Sequence, residues 1–248
     1  MQWAERRRVS IATGIVLTLA SATGLFWYVG IYEAPSCADG IRNQNERGID
    51  CDGECAKMCS APRVDALWTR SVSTAAGVYH GVSYVKNPEP GARGTGLSYR
   101  MSLFDKGNIL VAERRGTFDV LPGETRVIFE SNILTGERVP VRTLVEVSGG
   151  VWERAEPARQ PIRITLGVVD ENARMFNVIL ENTTPTPVTD IVADALLFDK
   201  EGVLVTASET KVPVLSARER QEVVYTWSLP FARPIVTADV VVRNRSSD

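Results

Sequence analysis

Between Val9 and Tyr32 the chain reads VSIATGIVLTLASATGLFWYVGIY, without a single charged residue. At ~1.5 Å per residue a helix of that length spans roughly 35 Å, enough to cross a hydrocarbon core. Only a helix satisfies all the backbone polar groups of such a run from within. Arg6, Arg7 and Arg8 stand immediately before it, and Glu33 and Pro35 just after. Positive charge is retained on the cytoplasmic side, so residues 1–8 are expected in the cytoplasm, 9–32 in the lipid bilayer, and the rest beyond it. Trp3, Trp27, Tyr28 and Tyr32 fall where amphipathic rings prefer to sit. The alternative is a cleaved signal peptide, since Ala20-Ser21-Ala22 is an acceptable cleavage site; against it, the apolar run continues to Val29. Both alternatives export the rest of the chain. Ser10 and Gly14, and Ala20 and Gly24, have the small-residue spacing that packs helices in lipid, although such pairs also arise by chance.

The chain as a whole is of ordinary globular composition, with 44% apolar and 23% charged residues, so most of it should fold. A net charge of −2 with no basic stripe argues against nucleic acid as a partner. All four cysteines, Cys37, Cys51, Cys55 and Cys59, fall in one short segment. Outside the cytoplasm they read as two disulfides, stapling a module (residues 33–61) too poor in apolar residues to build a core. Three pairings are open. The same segment carries Asp39, Asn43, Glu46, Asp50 and Asp52, hard oxygen donors separated by Gly40, Gly48 and Gly53. A loop of that kind can wrap Ca²⁺, although the spacing is not that of an EF-hand; the plainer alternative is a solvated polar loop held by disulfides. Zinc fits poorly, because the cysteine spacings are not C-x2-C and the lone histidine, His80, is remote. The string C-x-D-G-x-x-N-x-x-E-x-G-x-D-C-x-G-x-C resembles a Cys/Asp/Gly motif of bacterial cell-surface proteins. It departs from that motif at Asp52-Gly53 and in the Cys55–Cys59 spacing.

Beyond the module the sequence repeats itself. Leu103-Phe104-Asp105-Lys106-Gly107-Asn108-Ile109-Leu110-Val111 matches Leu197-Phe198-Asp199-Lys200-Glu201-Gly202-Val203-Leu204-Val205. Val85-Lys86-Asn87-Pro88 matches Leu180-Glu181-Asn182-Thr183, and Val120-Leu121 matches Val214-Leu215. Trp68-Thr69-Arg70 and Trp152-Glu153-Arg154 open the two copies, placed at 62–149 and 150–248 with a Pro/Gly-rich linker from Ser148 to Pro161. Each copy is a series of short β-rich runs. Leu97, Tyr99, Met101 and Leu103 alternate with mostly polar residues, the period of a half-buried strand. Asp105 and Asp199 then introduce turns, as side chains that bond their own backbone. A repeat of about 90 residues without an amphipathic helix fits an immunoglobulin-like sandwich. The expected fold is therefore mainly β: an N-terminal transmembrane helix, a small disulfide-rich module, and two tandem antiparallel immunoglobulin-like β-sandwiches.

The Leu-aromatic-Asp step, its turn and the later Leu121-Pro122-Gly123-Glu124 resemble the FxLyD-type bacterial domain, a small extracytoplasmic β-sandwich. This chain departs from it at the leading Phe, replaced by Met101 and Ala195. The whole layout also resembles an uncharacterised single-pass membrane-protein family of candidate-phylum bacteria, which implies fold and location rather than an activity.

Chemistry is thinly represented. His80 alternates with Val78, Val82 and Tyr84 in a strand pattern, and no nucleophile-elbow sequence accompanies it. Asp105 and Asp199, duplicated in corresponding turns, read as structural and not as a glycosidase pair. The expectation is no catalytic site. The chain should be an extracytoplasmic, membrane-anchored protein of the cell membrane. Its two sandwiches should form a semi-rigid rod, binding other envelope or surface proteins at strand edges or in the inter-domain crease. The alternatives are an accessory subunit of a membrane or envelope assembly and, remotely, an extracytoplasmic hydrolase.

Overall fold

The computed structural model describes residues 2–30, 36–43, 45–157 and 160–244. It divides into two compact units, residues 1–55 and 56–248.

In the first unit, α1 (Gln2–Gly30) begins ahead of the apolar run and carries Arg6, Arg7 and Arg8 within its first turns. The last two residues expected in the span, Ile31 and Tyr32, lie outside the described residues. From Arg6 to Val29 the helix is long and apolar enough to cross a membrane, and its described side chains are exposed. Four of its hydroxyls are satisfied internally: Ser10, Thr18, Ser21 and Thr23 donate to the carbonyls of Arg6, Gly14, Leu17 and Leu19 at 2.8–2.9 Å. That removes the penalty four hydroxyls would otherwise carry in an apolar medium.

The second unit holds β1 (Asp65–Ala75), β2 (Val78–Lys86), β3 (Ala92–Phe104), β4 (Leu110–Val120), β5 (Thr125–Leu134) and β6 (Arg142–Arg154) in the first copy. The second copy has β7 (Ile162–Asp170), β8 (Met175–Asn182), β9 (Val188–Phe198), β10 (Leu204–Leu215), β11 (Arg220–Thr226) and β12 (Thr237–Asn244). In each copy the first, second and fifth strands make one antiparallel sheet, and the fourth, third and sixth make the other: β1-β2-β5 with β4-β3-β6, and β7-β8-β11 with β10-β9-β12. The duplication read in the sequence is therefore a duplication of topology.

Two sandwich cores result. Val85, Leu97, Met101, Leu103, Phe118, Ile128 and Trp152 fill the first, and Phe176, Val178, Leu180, Ile191, Leu197 and Tyr225 belong to the second. One buried asparagine organises the same corner of each copy. Asn87 Nδ2 donates to the carbonyls of Ala92 (2.7 Å) and Leu121 (2.9 Å). Asn182 Nδ2 donates to those of Thr186 (2.7 Å), Leu215 (3.1 Å) and Ser216 (2.9 Å). Such bonds tie the end of the second strand to the loop after it and to the turn before the fifth strand, where backbone carbonyls would otherwise be buried unpaired.

The linker begins later than expected. Strand β6 continues to Arg154, paired with β3 as far as Ala92↔Arg154, and Trp152 (3% exposed) belongs to the first core and not to the start of the second copy. Gly149 and Gly150 have φ of +71° and +81°, and a Cβ on Gly150 would lie 2.9 Å from the Thr95 carbonyl oxygen. Gly150 serves close strand pairing, which a reading of Gly as punctuation misses, while Gly149 needs glycine only for its positive φ.

The copies do not meet end to end, which corrects the expected rod. A third apolar layer lies between them: Val72, Val82 and Val127 of the β1-β2-β5 sheet pack with Leu196, Leu204 and Ala207 of the β10-β9-β12 sheet. Trp68 stacks on Tyr84 (5.4 Å between centroids) and meets Phe198 edge-on (6.0 Å). Tyr84 Oη donates to Asp239 at 2.7 Å. The two inner sheets are thus covered on both faces, and the four sheets stack as layers.

Candidate functional site

In the Cys-rich segment, Cys37 is bonded to Cys55; Cys51 and Cys59 are disulfide-bonded as well, and no described cysteine is free. The acidic residues serve the loop's own backbone. Asp39 accepts from the amides of Ser36 (3.0 Å) and Ile41 (2.8 Å) and from Asn43 Nδ2 (2.9 Å). These bonds hold its carboxyl below the ordinary carboxylate range, with the Ser36 amide the largest cause. Asp50 accepts from the amides of Asp39 and Gly40 at 3.1–3.2 Å, and the buried Glu46 accepts from those of Asn43 (3.3 Å) and Asp50 (3.2 Å). Asp50 and Asp52 take positive φ, where Asp is tolerated better than most residues. Among the described residues the one cluster of three Cys, His or acidic ligand atoms is Cys37, Glu46 and Cys55, and its two sulfurs are joined in the disulfide. Asp39, Glu46, Asp50 and Asp52 are thus neighbours in the loop whose carboxylates do not gather three at one point. The Asn43 Oδ1 oxygen is enclosed without a partner.

The turn aspartates are equivalent to within tenths of an ångström. Asp105 Oδ1 accepts from the amides of Gly107 (2.9 Å) and Ile109 (3.0 Å), and Asp199 Oδ1 from those of Glu201 (2.9 Å) and Val203 (2.9 Å). The other carboxylate oxygen pairs with Arg138 in one copy (3.1 Å) and Arg233 in the other (2.8 Å). His80 packs at 5.0 Å from Phe129, and its Nδ1 accepts from the Asn132 amide (3.2 Å), so Nε2 carries the proton in the neutral ring. Burial lowers its pKa.

A cleft of about 350 Å³ opens where the copies meet; the sequence offered an inter-domain crease without saying which residues line it. Strands β3, β4 and β5 of the first copy supply Tyr99, Phe118, Arg126 and Phe129; β9, β10 and β12 of the second supply Asp190, Glu209, Lys211 and Arg243. Beside it, Asp194 is fully buried on β9 and paired with Arg243, which also holds Glu209 at 2.8 Å. Burial pushes the Asp194 carboxyl up to about 7 against the pull of Arg243. Its Oδ1 has no hydrogen-bond partner. Tyr99 Oη donates to Glu130 across the rim. A mixed lining of cations, acids and aromatic rings can recognise a polar ligand with an apolar part. No described side chain there is arranged as a nucleophile beside a base.

One signal of this junction was present in the sequence. Ile191-Val-Ala-Asp-Ala-Leu-Leu-Phe198 is apolar at nearly every position, the mark of a strand covered on both faces, and Asp194 is the one charge inside it. Arg126, Glu209 and Arg243 fall in ordinary alternating strands and carry no such mark.

No protein-family model matches the chain, and no curated protein matches it. Among solved structures, the chain is similar to the crystal structure of red sea bream transglutaminase at 14% identity. The match covers 73% of this chain and 29% of that one, with a TM-score of 0.23. So loose a match bears on neither fold nor activity.

Proposed function

We propose that the chain is a membrane-anchored, non-enzymatic protein of the cell envelope that holds its paired sandwiches on the far side of the membrane for binding a partner. The observation that carries this is an exposed apolar helix, on a chain whose other named elements are all strands and whose described cysteines are all oxidised. Disulfides persist in oxidising compartments, which supports export. The Arg6–Arg8 cluster supports a cytoplasmic N-terminus. The FxLyD resemblance supports the same location. The paired sandwiches offer the cleft as a binding place.

A second possibility, an accessory subunit of a membrane assembly, is favoured by Gly14 and Gly24, which have open space around them where another helix can approach closely.

The test is affinity purification of the full chain from solubilised native membranes, combined with protease added to intact cells or spheroplasts. Cleavage from outside and recovery with a partner support the proposal. A stoichiometric complex that dissociates on Gly14→Leu and Gly24→Leu substitution indicates the accessory subunit. Protection of the C-terminal half from external protease sinks both.

A further inference from the structure

The cleft between the copies contains a positive charge that no described carboxylate pairs with directly. Arg126 reaches out of β5, where one guanidinium nitrogen donates to the Asp119 carbonyl (2.7 Å) and the group lies 5.7 Å from the Phe118 ring centre. Among the described residues no ion pair includes it, whereas Arg243, on the opposite wall, holds both Asp194 and Glu209. Burial, and after it the charge of Arg243, disfavours the Arg126 cation, against the more distant pull of Glu124, Asp119 and Asp194. A half-buried guanidinium with most of its five donors uncommitted to the protein is available to an anion. The planar fork matches carboxylate or phosphate oxygens two at a time. Phe118 and Phe129 from the first copy and Ile191 and Val212 from the second give the lining an apolar part beside the charged Asp190, Glu209 and Lys211. Its volume of about 350 Å³ falls at the small end of ligand sites.

We propose that this cleft binds a small organic anion, its carboxylate or phosphate group held by Arg126 and its apolar body lying against Phe118 and Phe129. This rests on the binding role proposed above and is independent of membrane orientation. Both copies contribute walls, so the site exists only because the sandwiches pack face to face.

The test uses the full chain in detergent micelles at constant ionic strength. Benzoate, phenyl phosphate and neutral benzamide serve as probes in titration calorimetry and thermal unfolding. Saturable binding of benzoate or phenyl phosphate, with a raised melting temperature and no response to benzamide, is expected. Which of the two anions binds tells carboxylate from phosphate. Arg126→Gln should lower affinity about tenfold or more, the scale of losing charge-assisted hydrogen bonds. Its melting temperature without ligand should stay close to that of the wild type, because no ion pair is lost. Phenylglyoxal modification of wild-type Arg126, read by peptide mapping, should slow when the bound anion is present, a measurement that needs no variant to fold. Absence of saturable binding by both anions overturns the proposal, as does full affinity in Arg126→Gln or unslowed modification. Partner capture without anion binding refutes this proposal alone; anion binding without partner capture refutes only the partner role.

Discussion

Replacing Asn182 by alanine tests whether one buried side chain organises a whole copy. The Asn182 amide nitrogen donates to three carbonyls at 2.7–3.1 Å, and its Oδ1 accepts from the Thr184 amide (2.9 Å) and hydroxyl (2.7 Å). The residue has no exposed surface. Its own backbone amide bonds the Glu219 carbonyl (2.9 Å), an interaction alanine retains. The substitution therefore removes two amide hydrogens and one carbonyl oxygen from an enclosed site and leaves their partners unpaired. At ~1 kcal/mol per lost bond, with a further desolvation penalty for each stranded group, the loss should be roughly 3–5 kcal/mol. Against a total of ~5–15 kcal/mol for a folded domain, that is a large fraction. Urea denaturation of the full chain in detergent, followed by tryptophan fluorescence, measures it as a fall in midpoint at unchanged slope. Asn87→Ala should show a loss of the same order, since Asn87 bonds two carbonyls and accepts from the Glu89 amide (3.1 Å). A loss below about 1 kcal/mol in both variants would refute the role given to these asparagines. The same burial predicts that Asn182-Thr183-Thr184 stays unglycosylated in a eukaryotic host, which mass spectrometry reads directly.

Asp194 should make stability depend on pH in the sense opposite to an ordinary ion-paired carboxylate. With its folded pKa raised to about 7, the folded state holds a proton that the unfolded chain releases near 4. Its stabilising contribution is then greatest at the acid end and is lost as pH rises from about 4 to 7, and Asp194→Asn should flatten that slope in denaturant titrations. Leu196→Ala opens the layer between the copies at a fully buried position and should lower stability by about 2–5 kcal/mol, read as a lower urea midpoint; no change would mean that the layer contributes nothing. Gly77→Ala should destabilise strongly, because φ is +70° and the new Cβ would lie 2.4 Å from the Gly136 carbonyl oxygen; a thermal scan with an unshifted midpoint would contradict this. Calcium up to millimolar concentration should give no saturable heat in calorimetry, since the Asp39, Glu46 and Asp50 carboxylates already accept from loop amides; a saturable heat abolished by Asp50→Asn would reverse that view.

What the sequence made legible was whatever is encoded locally. The apolar run, the clustered cysteines and the paired Leu-Phe-Asp turns each owe their conformation to neighbours a few positions away, so helix, module and repeat could be read directly. Asn87 and Asn182 appeared in the aligned repeat, but nothing local told that they were buried. The Gly149-Gly150 pair resembled a linker because glycine in a loop and glycine beneath a neighbouring strand, as Gly150 is, look the same in one dimension. The face-to-face packing, and with it the cleft, depended on long-range contacts between Val82 and Leu196 or Tyr84 and Asp239, which no window along the chain contains.

The layer shared by Trp68, Val82, Leu196 and Phe198 has a consequence for how such a protein arises and can be taken apart. Duplication ordinarily yields portable modules that can be shuffled or expressed singly. Here, each half would display a bare oily sheet if its sibling were removed, so excised halves should self-associate or clump. Insertions are tolerable outside that seam, whereas inheritance and loss of the two halves are bound together.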